Sequence, residues 1–242
     1  MRIVGQNRWS VVLTVGALIV LGGMQMHGST DARRAMATGW RALLSDGAWL
    51  RAYVAWERQD APSMQGWIEV ATRLDPRPVG YWLNGARMIA HDVPEWLPAG
   101  TPEGVREQVR HEQLARALKH LARGLEAHPE AAALWIEEGN LQFAVAADLE
   151  GAARAYLEAT RRPDAPFYAG RVYAELLRRQ GRSAAAYVWL RQLHPRLEAI
   201  EEPALRERAM PDVVLARLRE LEEQLQMAAE ARYRQRSVDL PL

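Results

Sequence analysis

The chain contains no cysteine, two phenylalanines and a single lysine. Without cysteine there are no disulfides, no thiolate nucleophile, no Cys-ligated zinc or iron–sulfur cluster, and no lipid on an N-terminal cysteine. The one lysine, Lys119, is followed by His120, so neither a Gly-Lys-Ser/Thr phosphate loop nor a Ser-x-x-Lys pair exists. An excess of one charge is missing too: 31 basic residues face 30 acidic ones, a formal net charge of +1. Nucleic-acid binders carry a basic footprint, so no nucleic-acid partner is expected.

Catalytic patterns are equally scarce. Serine never stands in a Gly-x-Ser-x-Gly elbow. His111-Glu112-Gln113-Leu114-Ala115 begins like a helical zinc-protease motif, but Ala115 stands where the second metal-binding histidine belongs. The six histidines are dispersed; His128 and His194 precede prolines and read as surface residues at helix ends. Adjacent carboxylates such as Glu137-Glu138, Glu201-Glu202 and Glu222-Glu223 diverge by about 100° on a helix and read as solvated faces. The expectation is a non-catalytic protein with no metal and no small-molecule cofactor.

What is present begins with an uncharged run, residues 9–26, WSVVLTVGALIVLGGMQM, at the short end of what spans a bilayer. Arg2 and Arg8 precede it, and Asp31, Arg33 and Arg34 follow. No small-residue cleavage site follows promptly, which favours an uncleaved single-span anchor over a cleaved signal peptide or a buried core helix. The basic residues ahead of it favour a short cytoplasmic N-terminus (1–8) and a soluble domain on the non-cytoplasmic side. Residues 27–48 then form a juxtamembrane linker or helix.

The remainder has a period. Prolines that read as helix stops stand at Pro76, Pro129, Pro163 and Pro195, with separations of 53, 34 and 32 residues. The last two are about one helix–turn–helix unit. Small or apolar residues recur ahead of each proline with helical spacing, as Ala117, Leu121 and Gly124 do before Pro129, and Ala152, Tyr156 and Ala159 before Pro163.

In this pattern the chain resembles the tetratricopeptide repeat family. One unit matches with Trp135, Gly139, Ala152, Tyr156, Ala159 and Pro163, and the next with Ala174, Leu177, Gly181, Ala186, Leu190 and Leu193. Two weaker units precede them: Trp49, Tyr53 and Trp56 with Met64, Ile68, Ala71 and Pro76, then Trp82, Ala86 and Ile89 with Ala117, Leu121, Gly124 and Pro129. The second of these is overlong, and the excess falls in 92–110, whose three prolines and two glycines forbid a continuous helix. The resemblance implies an all-α solenoid of three to four helix–turn–helix repeats over 49–195. Residues 196–242 form a C-terminal capping helix and tail, with Val214, Leu218, Leu221 and Leu225 on one apolar stripe and Pro211 at a break or start. A non-repeat helical bundle is the plainer alternative.

Six of the nine tryptophans lie between Trp40 and Trp96, together with several arginines. Such residues dominate interface hot spots. Trp49, Tyr53 and Trp56 share the stripe that fills a hairpin core, which leaves Arg77, Tyr81, Asn84 and Arg87 as polar partner contacts and Trp96 as an apolar anchor on the insertion. The resemblance implies that the first helix of each repeat lines a groove for a partner peptide. The expected function is a membrane-anchored scaffold or adaptor that binds protein segments and organises a membrane or envelope complex. A permanent accessory subunit of a larger membrane complex, or a helical envelope-polymer hydrolase, remain open alternatives.

Overall fold

The computed structural model describes residues 30–234, all of its regular structure helical; the described residues contain no strand. The expected anchor at 9–26 and the last eight residues, 235–242, lie outside them. Among the described residues no helix is long and apolar enough to cross a membrane.

The helices are α1 (Thr30–Glu57), α2 (Ala61–Leu74), α3 (Val79–Arg87), α4 (Glu103–Ala127), α5 (Ala132–Ala144), α6 (Leu149–Thr160), α7 (Tyr168–Arg179), α8 (Ser183–Glu198), α9 (Pro203–Ala209) and α10 (Pro211–Gln224). Contacts divide the chain inside α1, into Met1–Leu44 and Ser45–Leu242. In the first unit Met36, Leu43 and Leu44 are exposed. The second unit holds every feature discussed below.

Local chemistry sets the boundaries. Asp60 caps α2 by accepting from the Ser63 amide at 3.2 Å, and Asp148 caps α6 by accepting from the amides of Glu150 and Gly151 at 3.0 and 2.9 Å. Proline follows the ends of α2, α4 and α6 as Pro76, Pro129 and Pro163, where the preceding residue is driven out of the helical region. Gly181, with φ of +75°, turns the chain between α7 and α8 in a conformation that costs glycine nothing. Pro195 departs from the expected pattern: α8 runs through it to Glu198. The carbonyl of Arg191 loses its helical donor there, but Arg191 is exposed, so water can take the donor's place.

From α2 to α8 each helix packs on the next, α10 packs back on α8, and the buried residues form three apolar clusters. The first joins α1 to α4, with Trp49, Ala52, Met64, Ile68, Trp82, Ala86 and Leu121. The second lies between α5, α6 and α7, around Ile136, Ala152, Tyr156 and Leu176. The third joins α7 and α8 to α10 through Leu177, Leu190, Val214, Leu218 and Leu221. Neighbouring clusters share helices: α5 contributes Leu134 and Leu141 to the first and Ile136 to the second, while α7 contributes Leu176 to the second and Leu177 to the third.

Close approach depends on missing side chains. A Cβ on Gly124 would lie 2.9 Å from Cγ of Trp82, and one on Gly139 would lie 2.6 Å from Cδ2 of Tyr156. Both glycines therefore let an aromatic ring of the partner helix lie against the backbone.

The C-terminal stretch is two helices rather than one. Met210, at φ of +53°, is left-handed and separates α9 from α10, which Pro211 starts. Helix α10 buries Val214, Leu218 and Leu221 against α8 and α7. Glu222, read from sequence as solvated, is fully buried; it accepts from the Tyr187 hydroxyl at 3.1 Å, Arg219 Nη1 at 2.8 Å and the Tyr233 amide at 2.6 Å. His194 is likewise buried rather than on the surface, with Nδ1 3.0 Å from the Tyr233 hydroxyl. The predicted insertion at 92–110 is also narrower than expected. A π turn (Met88–Asp92) and one further turn (Val93–Glu95) prolong α3, α4 begins at Glu103, and the irregular stretch is 96–102.

Candidate partner-binding groove

Four of the five residues singled out from sequence sit on or beside α3, and three of those are engaged within the chain. Arg77 forks onto Asp75 through Nε and Nη2, both at 2.7 Å, and its amide donates to the same carboxylate at 3.1 Å. The guanidinium holds the buried Asp75 carboxyl below its ordinary range. The Tyr81 hydroxyl donates to Asp46, and its ring stacks on Trp49 with centroids 4.5 Å apart. Burial, then the Asp46 carboxylate, pushes the phenol up to about 12. Arg87 reaches α5, where Nη2 stands 2.5 Å from Oε2 of Glu137, a carboxylate only 2 % exposed. Asn84 is exposed on the same helix, one turn from Tyr81 and Arg87.

Trp96 is not an exposed tip. It is half-buried and packs on the first apolar cluster. The short loop after it is tied to α4, whose Arg106 Nη2 donates to the Pro98 carbonyl at 2.7 Å. Trp56 pins the preceding turn by donating from Nε1 to Asp92 at 2.6 Å.

An open groove lies elsewhere, with a volume of about 340 Å³. Its apolar lining includes Phe143 of α5, Val172 and Leu176 of α7, and Val213 of α10; Phe143 and Val213 are exposed. Its polar lining is uneven, with Arg171, Arg178, Arg179 and Arg217 around a single acid, Glu175. Arg178 binds Glu175 through Nε at 2.9 Å and Nη2 at 2.6 Å, and Arg179 adds Nε at 3.1 Å. Arg217 approaches from α10 with Nη2 at 3.7 Å. Hydrogen bonds from Arg178, then those from Arg179 and the nearby Arg217 charge, hold the Glu175 carboxyl down at about 2.

Other groups fix the walls. Tyr156 donates to Asn140 Oδ1 at 2.7 Å, with its phenol pushed up to about 12 mainly by burial. Arg171 Nη1 donates to the Ala209 carbonyl at 2.8 Å, tying α7 to the end of α9. Arg179 lies 5.2 Å over the Phe143 ring, a cation–π contact that brings α7 to α5.

Sequence reasoning missed this groove, because its residues run from Asn140 to Leu221 and only folding brings them together. One local signal exists: in Arg171-x-x-x-Glu175-x-x-Arg178-Arg179, charge concentrates at helical spacing on α7. Among the described residues no group of three or more His, Asp or Glu side chains is placed to hold a metal ion. No protein-family model matches the chain, and no curated protein matches it in sequence.

Proposed function

We propose that this chain is a membrane-anchored, tetratricopeptide-like solenoid that acts as a scaffold, binding segments of partner proteins and organising a membrane or envelope complex. The observation that carries this reading is the groove. It is lined mainly by α5, α7 and α10, with Tyr156 of α6 and Leu190 of α8 also contributing; in the repeat reading α5 and α7 are the first helices of successive hairpins and α10 belongs to the C-terminal cap. Its lining combines exposed apolar side chains with arginine, the composition of interface hot spots. Two further features support the repeat reading: glycines under aromatic rings in two hairpins, and helices α5 and α7, each divided between neighbouring apolar clusters.

In this reading Arg77, Tyr81 and Arg87 act through the scaffold, since each engages an internal carboxylate, while Asn84 stays available on the same helix. The 9–26 run supplies the anchor and raises the local concentration of partners at the membrane.

The test is co-purification from membranes of the detergent-solubilised full-length protein beside a Val213→Asp, Phe143→Ala variant, with mass spectrometry of what co-elutes. Both side chains are exposed, so the variant should fold normally by circular dichroism. A partner captured by the wild type and lost by the variant supports the scaffold. Capture of the same partners by both would move the interface off the groove, and Asn84→Ala then asks whether α3 carries it.

A further inference from the structure

We propose that the groove recognises a protein segment carrying carboxylates on either side of an aliphatic or aromatic side chain, and that Glu175 is an internal competitor for the same arginines. This rests on the scaffold reading above and specifies the chemistry of the partner.

The charge count comes first. Four guanidinium groups and one carboxylate line the groove of a chain whose overall charge is only +1, so the cationic character is local. A guanidinium has five N–H donors in a fixed fork. Glu175, with two oxygens, is shared by Arg178 and Arg179 at hydrogen-bond distance and by Arg217 just beyond it, while Arg217 also pairs through Nη1 with Glu220, outside the groove lining, at 2.5 Å. Two carboxylates, Glu175 and Glu220, cannot saturate the fifteen N–H donors of three guanidinium groups. Arg179 and Arg217 keep 49 % and 43 % of their side-chain surface in solvent, so both can reach an incoming anion.

The second observation is the apolar lining between these cations. Phe143, Val172, Leu176 and Val213 form a surface that a bare anion does not need but an apolar side chain would cover. A volume of about 340 Å³ accepts one or two such side chains rather than a folded domain. Carboxylates flanking an aliphatic or aromatic residue in an extended segment match both features: charges go to the arginine rim and the apolar group goes to the floor.

The state of Glu175 follows from the same geometry. Its carboxylate is already the counter-ion of the rim, so a partner carboxylate must displace or share it. Removing its charge therefore frees Arg178 and Arg179 without deleting a contact to the partner.

Fluorescence anisotropy on the full-length protein in detergent tests this. The probe is a fluorescein-labelled synthetic peptide, Gly-Glu-Asp-Leu-Phe-Asp-Glu-Gly, and its control has every acid replaced by its amide. The acidic peptide should bind at least about tenfold more tightly than the amide peptide, with affinity falling as salt rises. Arg179→Ala with Arg217→Ala should lose about tenfold, whereas Glu175→Gln should gain about threefold or more. Polyglutamate at equal carboxylate concentration should compete poorly. Equal binding of acid and amide peptides, weakening by Glu175→Gln, or full competition by polyglutamate would each overturn the proposal. Absence of peptide binding would overturn it as well, while partner capture that depends on Val213 and Phe143 would leave the scaffold reading standing.

Discussion

Gly139 lies so close beneath the Tyr156 ring that a Cβ atom would stand 2.6 Å from Cδ2, within the van der Waals envelope of the ring. The α5–α6 hairpin closes on a hydrogen atom. Gly139→Ala should therefore cost about 2 kcal/mol, since the ring is buried among helices and has little room to retreat. Gly66 is also helical, but exposed, with open space where a Cβ would go. Gly66→Ala should stabilise by roughly 0.5–1 kcal/mol. Urea denaturation of both variants compares them directly, and equal effects would contradict the close-approach role.

The ion pair from Arg87 to Glu137 bridges α3 and α5 with one partner open to solvent and the other 2 % exposed. Arg87→Ala strands the buried carboxylate and should cost about 2 kcal/mol. Adding Glu137→Gln should recover part of that loss, because the amide has no charge to strand. A double-mutant cycle by chemical denaturation measures the coupling.

His120 is buried against Trp82, with Nε2 3.4 Å from the Tyr81 carbonyl, and burial depresses its imidazole to about 4. The unfolded chain then binds the extra proton at higher pH than the folded one, so stability is intact above pH 6.5 and falls as the pH drops towards 4. Between pH 7 and 4.5 this one group should remove about 2 kcal/mol. Denaturation midpoints at the two pH values should converge in a His120→Gln variant relative to the wild type. An unchanged pH slope would reject the assignment.

Pro195 interrupts the hydrogen bonding of α8 at an exposed position without ending the helix. Pro195→Ala restores a donor to the Arg191 carbonyl and should raise stability by about 1 kcal/mol. A lowered thermal midpoint would mean that the ring makes a contact worth more than the lost hydrogen bond.

The hairpin pattern was legible because it is local. Ala117, Leu121 and Gly124 on α4, and Ala152, Tyr156 and Ala159 on α6, fall at helical spacings on single elements, and Pro76, Pro129 and Pro163 stop helices by their own sterics. Pro195 misled, since a proline in the last turns of a helix costs one hydrogen bond that water can replace. The burial of Glu137, His194 and Glu222 was invisible for a different reason. Their partners Arg87 and Tyr233 lie 50, 39 and 11 residues away, and no periodicity reports a contact across helices. The site followed the same rule. Arg77, Tyr81 and Arg87 were chosen by residue type, and nothing in residue type reveals that Asp75, Asp46 and Glu137 already engage them.

The three apolar clusters in chain order have an energetic consequence. Each cluster can lose its packing with only the shared helix as a link to the next, so unfolding need not be a single event. The groove straddles the second and third, taking Tyr156 and Leu176 from one and Leu190, Val214 and Leu221 from the other. A segment seated across that boundary would act as a splint. It would couple two cooperative units that are otherwise joined mainly through α7, so occupancy would register as merged unfolding transitions and slower amide exchange in α9 and α10, beyond the residues touched.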